Sequence, residues 1–463
     1  MEMKKQIRLN AFDMNCVGHI QHGLWTHPRD RSTAYNTIEY WQNLAKTAER
    51  GKFDGIFLAD IVGVYDVYKG SPAPSLENAV QVPVNDPLLV VPVMAAATKH
   101  IGFGVTANLT YETPYLFARR MSTLDHLTGG RVGWNIVTGY LDSAARAMGF
   151  TAQREHDDRY DVADEFMEVM YKLWEGSWES DAVVRDRERR LYARPDKVHR
   201  IQHAGRHYNV DAIHLSEPSP QRTPVLYQAG ASARGKDFAA SHAECVFLYG
   251  PNKEHTRKAV EDVRQRAAKL GRNPNGVQFF LGRAIVVGRT RKEAEEKYEE
   301  YYRYASAEGA LAHFSSTVGI DFSQYDLDEP LQYQKTDAMA SMLEAFTRDS
   351  SQVWTLRKIF DKGLGARNPP LVGSAEEVAD ELQSWVEETG VDGFNISRVV
   401  TPETLEDFVE LVVPILQERG IYKRDYAEGT LREKLFGQGQ ALLPATHPGA
   451  SYRRLGQGLD AAE

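Results

Sequence analysis

The sequence predicts an α/β fold: a closed parallel (β/α)8 barrel with long insertions in its loops. Short β-branched runs alternate with longer helical patterns, and the alternation counts to about eight strand segments. No shift of composition marks a domain boundary along the 463 residues, a length that one barrel reaches when its loops carry insertions.

The run IRLNAF is the first strand, and the histidine-rich NAFDMNCVGHIQHGLWTHP runs on from it. Tyr40 to Glu49 reads as a helix, GIFLAD as the second strand and IGFGVTAN as the third. Pro114 to Leu127 is the next helix, and a Gly-Gly turn then opens into the fourth strand, RVGWNIVT. In REHDDRYDVADEFMEVMYKLWEGSW the residues Val162, Phe166, Val169 and Leu173 form one face of a helix, a stripe most simply buried as core. PVLYQAG, ECVFL, VQFFLGRAIVVG and DGFNIS supply four later strands. Two segments break the alternation and read as insertions: about 173–220, with the charged VVRDRERRLYARPDK, and about 305–370, where helix-like pieces mix with Gly and Pro. Residues 1–440 then form one barrel domain. Residues 441–463, rich in Gly, Ala and Pro, read as an arm, either loose or laid across a neighbouring subunit.

Composition excludes several classes of function. A net charge of -9 leaves no basic excess to neutralise phosphates, which argues against nucleic-acid binding. Two cysteines, Cys16 and Cys245, rule out a disulfide framework and a four-thiolate zinc site. The N-terminal MEMKKQIRLNAF has no apolar segment behind its charges, so it does not read as a signal peptide. PLLVVPVMAAAT is too short to span a bilayer. These features together predict a cytoplasmic protein without membrane contact. No GxGxxG follows a strand, and Walker A, GxSxG and CxxC motifs are absent, which disfavours direct NAD(P) binding.

Polar residues gather where the strands end. GIFLAD ends in Asp60, GVTAN in Thr106 and Asn108, and GWNIVT in Asn135 and Thr138. In parallel α/β folds ligands bind at that edge, because the strand–helix loops converge there. In YQAGASARGKDFAA a strand meets small residues and then a helix, so backbone N–H groups, Ser232 and Arg234 suit an anion. An ordinary strand–loop–helix with Ser232 as N-cap explains the pattern at least as well. His156 and Tyr160 precede an apolar helix face and are within reach of the barrel mouth. Cys16, His19, His22 and His27 invite a metal reading, but the zinc-protease spacing and HExxH are missing, so imidazoles lining a pocket are the better reading.

Taken together, the stretches NAFDMNCVGHIQHGLWTHP, ERGKFDGIFLADIVGVYDVY, QVPVNDP, ARRMSTLDHLTGGRVGWNIVT, HDDRYDVADEFMEVMYKLWEGSWE, EPSPQRTPVLYQAGAS, VDGFN and YAEGTLREKLFG resemble one family. It is the bacterial-luciferase-like, two-component FMN-dependent monooxygenases, in the branch of the nitrilotriacetate, dibenzothiophene-sulfone, long-chain alkane and dimethyl sulfide enzymes. The resemblance runs from about Ile7 to Arg454. It implies a TIM barrel that receives reduced FMN (FMNH2) from a separate NAD(P)H:flavin reductase. O2 is the co-substrate, and a C4a-(hydro)peroxyflavin would insert one oxygen atom into the substrate. By motif, Asp60, Thr106, Asn108, Asn135 and Thr138 match isoalloxazine-lining positions, and His156 and Tyr160 match flavin contacts. Ala229, Gly230, Ala231 and Ser232 match the segment that grips the 5′-phosphate. Cys16, His19, Tyr65, Gln81 and His313 match substrate-pocket positions of the alkane enzyme, whereas Tyr140 stands where that enzyme has a histidine and resembles the dimethyl sulfide enzyme. His19, Tyr140 and His313 are the candidate catalytic residues. The resemblance implies a small apolar substrate, a thioether or other organosulfur compound or an alkane, and a homodimer or homotetramer. Oxidative C–N cleavage of an aminocarboxylate or of riboflavin is the alternative on the same scaffold. A non-catalytic flavin-binding protein is the alternative of another class.

Overall fold

The computed structural model describes residues 5–334, 338–347, 352–366 and 369–454. Its central sheet contains the eight predicted strands in parallel: β1 (Arg8–Met14), β2 (Gly55–Ala59), β3 (Gly102–Asn108), β4 (Val132–Val137), β5 (Val225–Gln228), β6 (Cys245–Leu248), β7 (Gln278–Gly288) and β8 (Gly393–Ser397). Each pairs with the next in sequence, and β8 returns to β1 through Asn10↔Asn395, so the barrel closes. An additional short strand, Leu371–Ser374, extends the far end of β7.

Alternation along the strands separates two cores. Leu9, Ile56, Phe103, Trp134, Leu226, Phe279 and Phe394 face outward and meet the surrounding helices in the largest apolar cluster. Phe12, Phe57, Tyr227, Phe247 and Phe280 face inward and fill the barrel as a layer of rings. Phe12 meets Phe57 and Phe247 edge-on, with centroids 5.6 and 5.0 Å apart. Neighbouring strands make room for these rings with glycine: a Cβ on Gly133 would lie 2.6 Å from the Tyr227 ring, and one on Gly104 would lie 3.0 Å from Phe57. The YAEGTLREKLFG stretch seals the other end. Thr430 and Glu433 form a capping box for the helix Leu431–Phe436, and Leu431 and Leu435 pack beneath the aromatic layer. The helix is locked by fully buried Arg432, which pairs with both carboxylate oxygens of Glu244 at 2.7 and 3.0 Å.

The β4–β5 connection holds the long helix His156–Gly176 and two small hairpins, Val183–Asp186 with Leu191–Ala193 and Ile201–Ala204 with Asn209–Ala212. The β7–β8 connection holds, among others, the helices Arg291–Tyr302, Ala307–Val318 and Ala375–Thr389. Phe314, Val318 and Phe322 of this connection pack on Tyr65, Tyr68, Val80, Leu141 and Ala144, so it covers the loops that follow β2 and β4. The start of the C-terminal arm lies on its own barrel: Tyr452 stacks on Tyr171, and Arg453 pairs with buried Glu175 at 2.6 Å. Residues 455–463 lie outside the described residues. Among the described residues, no helix is long and apolar enough to cross a membrane.

Candidate active site

The C-terminal ends of the strands bring most of the predicted residues together around the barrel mouth. Thr106 of β3 and Asn135 of β4 are register partners that both face inward, and Asn135 donates its amide to the Thr106 hydroxyl at 2.8 Å. The other end of that amide, Oδ1, is buried and has no hydrogen-bond partner within the protein. An acceptor in this condition costs about 1–3 kcal/mol unless something outside the chain donates to it. Asn108 accepts from the Thr110 N–H at 3.0 Å, and the Thr110 hydroxyl donates to the Thr138 carbonyl at 2.8 Å. These two residues therefore stitch the β3 and β4 exits to each other. Asp60, at the exit of β2, is part-buried, and desolvation together with the nearby Asp86 carboxyl raises its pKa to about 8. At neutral pH it is a neutral hydrogen-bond donor rather than an anion.

A second group stands beside β5. Ser232 caps the helix Ala233–His242 by accepting from the Gly235 N–H at 3.0 Å. Tyr160, on the helix His156–Gly176, brings its hydroxyl to the same turn as Ser232, and its ring lies 5.3 Å from that of His156. Gly230 sits in the resulting cradle: a Cβ there would lie 2.2 Å from Nε2 of Gln228 and 2.8 Å from the Tyr160 hydroxyl. Ala229 and Ala231 are exposed on either side of it. Arg234, which the sequence offers as a further anion contact, is already engaged by carboxylates. Its guanidinium pairs with Asp161 at 3.1 Å and Asp164 at 2.5 Å and covers the Tyr160 ring. Gln228 escaped sequence reasoning, although it is the polar end of its strand in the same way as Asn135. Its buried Oε1 also lacks a partner within the protein.

A third group lies over the aromatic layer. The His19 ring meets Phe12 edge-on at 4.5 Å, is 2 % exposed, and has no hydrogen-bond partner at either nitrogen. Burial holds its pKa well below the usual histidine range, and Arg398 and His22 act in the same direction, so the imidazole is neutral. Gln81 donates to the His19 carbonyl at 2.7 Å and accepts from the Tyr65 hydroxyl at 2.8 Å. Tyr65 and Tyr140 share a hydrogen bond of 3.0 Å, and the Tyr65 ring lies 5.0 Å from that of His313. Gln81 and Ala79 both have positive φ, 52° and 51°, a strained backbone held by the bonds that Gly18 exchanges with Ala79 and Gln81. Cys16 is fully buried, and burial pushes its thiol up to about 12. Arg398, paired with Asp13 at 3.1 Å, donates to the carbonyls of Cys16 and Val17 and fixes the turn that carries this group. Among the described residues, no cluster of histidine, cysteine and carboxylates is arranged to hold a metal ion.

The mouth thus gathers, above a ring of aromatics, buried hydrogen-bonding groups that the chain itself does not satisfy: Asn135 Oδ1, Gln228 Oε1 and both nitrogens of His19. Polar groups gathered at the C-terminal ends of barrel strands mark the end at which a (β/α)8 enzyme carries its active site. The chain matches the family model described as luciferase-like monooxygenase over residues 19–393, and it belongs to that family. It is 50% identical over 453 residues to the dimethyl-sulfide monooxygenase of Hyphomicrobium sulfonivorans, a match that covers 97% of this chain and 94% of the relative. It is also 50% identical over 453 residues to the long-chain alkane monooxygenase of Geobacillus thermodenitrificans (strain NG80-2), covering 98% and 99%. The crystal structure of a riboflavin lyase with modified FMN and riboflavin superposes with a TM-score of 0.92 at 38% identity, covering 97% of this chain and all of that one. The chain is accordingly an enzyme, a luciferase-like monooxygenase on a TIM barrel.

Proposed function

We propose that this chain is the oxygenase half of a two-component system. It would take reduced FMN from a separate NAD(P)H:flavin reductase and, with O2, oxygenate a small, largely apolar molecule: a thioether or other organosulfur compound, or an alkane. One observation carries the reading. A fully buried histidine, His19, has two unsatisfied nitrogens at the mouth of a chain half identical to a dimethyl-sulfide and an alkane monooxygenase.

The residues present fit a flavin. Asn135 has a spare buried acceptor for a ring N–H, and protonated Asp60 is a neutral donor. Around the Gly230 cradle, Ser232, Tyr160 and the helix N-terminus offer donors to a phosphate. Asn108 and Thr138 hold the two strand exits in place, and His156 stands beside Tyr160. When bound, reduced FMN supplies two electrons that activate O2, so that one oxygen atom enters the substrate and the other leaves as water. The chain's own share is to exclude water, to orient the substrate and to hold protons at defined atoms. Cys16, Tyr65 and Gln81 line the substrate side, and the packing of Phe314 and Val318 on Tyr65 and Leu141 keeps bulk solvent away. His19, Tyr140 and His313 are the groups that would donate or accept hydrogen bonds at the reacting atoms. The neutrality of His19 suits an apolar substrate, because no buried charge has to be paired there on binding.

The test is an oxidation assay with purified chain, FMN, NADH, a generic flavin reductase and O2. Dimethyl sulfide, larger thioethers, alkanes, an aminocarboxylate and riboflavin are supplied in parallel. The proposal expects product from a thioether or alkane with little hydrogen peroxide. Product from the aminocarboxylate or riboflavin alone would move the activity to C–N cleavage. Peroxide with no product from any thioether or alkane would overturn the proposed substrate class.

A further inference from the structure

The histidine-rich turn after β1 contains one side chain that the reading above does not use. His22 reaches out of that turn and meets the second insertion: its Nε2 lies 2.9 Å from Nδ1 of His313, and the two rings are edge-to-face at 5.0 Å. The backbone around His22 is wedged into the same insertion. Its carbonyl accepts from the Ser306 N–H at 2.8 Å, and its N–H donates to the Gly365 carbonyl at 3.4 Å. Glycines permit this interlock. A Cβ on Gly23 (φ +92) would lie 2.4 Å from the Tyr304 carbonyl oxygen, and one on Gly365 (φ +78) would lie 2.2 Å from that of His22. A Cβ on Gly309, one turn before His313 on the helix Ala307–Val318, would press on the His22 side chain at 2.8 Å. The chain thus uses three glycines to seat one histidine against another that lies 291 residues away.

We propose that His22 is a positioning residue: through this bond it fixes the ring orientation and the tautomer of His313. A hydrogen bond between two imidazole nitrogens needs one N–H and one bare nitrogen. With Nδ1 of His313 engaged by His22, the other nitrogen of that ring is Nε2. Its protonation is then set by which of the two histidines donates. The Tyr65 ring beside His313, at 5.0 Å and tilted by 32°, limits rotation from another side. His22 needs no contact with the substrate to act in this way. The inference rests on the proposed role of His313 at the mouth, so its test includes a measurement that needs neither flavin nor substrate.

That measurement is nitrogen NMR of protein labelled at histidine, with His313 assigned through a His313→Gln variant. The native chain is expected to show one fixed tautomer for His313. In His22→Leu, which fills the volume without hydrogen-bonding, the two nitrogen shifts of His313 should move toward the average of exchanging tautomers. In His22→Gln, whose amide reaches the position of Nε2, a single tautomer should persist. Unchanged His313 shifts in His22→Leu would overturn the proposal. The same variants in the coupled assay supply the second readout. His22→Leu is expected to form product about tenfold more slowly and to release more peroxide, with KM altered less than kcat and with His22→Gln restoring most of the rate. Equal losses in His22→Leu and His22→Gln, in step with equal losses of thermal stability, would reduce His22 to a purely structural residue and overturn it as well. If the native chain oxidises none of the substrates, the assay fails while the NMR result still decides the positioning claim.

Discussion

Residue by residue, the mouth is built from groups that folding alone would not select. The Asn135 Oδ1 is buried without a partner in the protein, a condition that costs stability unless a ligand donates to it. Asn135→Leu removes this acceptor together with the bond to Thr106, two effects of opposite sign, and should therefore change thermal stability little while weakening reduced-FMN binding by about tenfold, the worth of one lost hydrogen bond. Denaturation and flavin titration of the same variant check both directions, and a drop in stability that accounts for the lost binding would refute this. Asp60 gives a pH signature. Its carboxyl keeps its proton up to about 8 in the fold but loses it near 3.8 when unfolded. The folded state holds the extra proton between those values, so the contribution is complete at acid pH and is lost as pH rises through 8. Asp60→Asn should gain thermal stability relative to the native chain on going from pH 5.5 to pH 9, and a pH-independent difference would refute the assignment. Sequence reading reached Asp60 and Asn135 because a strand ending in a polar group is a local pattern. It reached His22 only as one of several histidines, because its partner, His313, belongs to a distant insertion. The pairing of Arg234 was not legible for the same reason, since the carboxylates that engage it are on another helix.

At the scale of elements, the strands were the most legible part of the fold. Eight apolar runs of β-branched and aromatic residues, each bounded by turn residues, became eight barrel strands with the expected parallel pairing. The position of YAEGTLREKLFG was not legible, because a capping box marks where a helix starts and says nothing about what it covers. In the structure that helix closes the barrel through the buried Arg432–Glu244 pair. Replacing one partner leaves the other charge buried, which costs about 3–5 kcal/mol. Arg432→Met is therefore expected to lose stability in that range, measured by denaturant unfolding. The double variant Arg432→Met with Glu244→Leu should recover part of it, and a double variant no better than the single one would contradict the pairing. The Ser232 cap is a smaller device: Ser232→Ala should cost about 1 kcal/mol of stability through the helix Ala233–His242, together with weaker flavin binding.

Over the whole molecule, the same economy of charge recurs. His19 and His447 are held well below the usual histidine range by burial, and burial lowers His214 to about 4. Each is neutral in the fold and protonates near 6.5 when unfolded, so the unfolded chain binds more protons below that value. Stability is complete above about pH 6.5 and falls as the solution is acidified. Relative to a His214→Asn variant, the native chain should lose melting temperature on going from pH 7.5 to pH 5, and a pH-independent difference would contradict the burial of that ring. Rings kept neutral by burial thus stand beside buried charges that are fully paired, Arg432 with Glu244 and Arg398 with Asp13. The account turns on the claim that the mouth holds a reduced flavin. Anaerobic titration of reduced FMN into the native chain, Asn135→Leu and Gly230→Val tests it most directly. The account predicts saturable binding by the native chain, about tenfold weaker binding in Asn135→Leu and no measurable binding in Gly230→Val, where a side chain would fill the cradle beside Gln228 and Tyr160. Native binding that both variants leave unchanged, or no native binding at all, would contradict it.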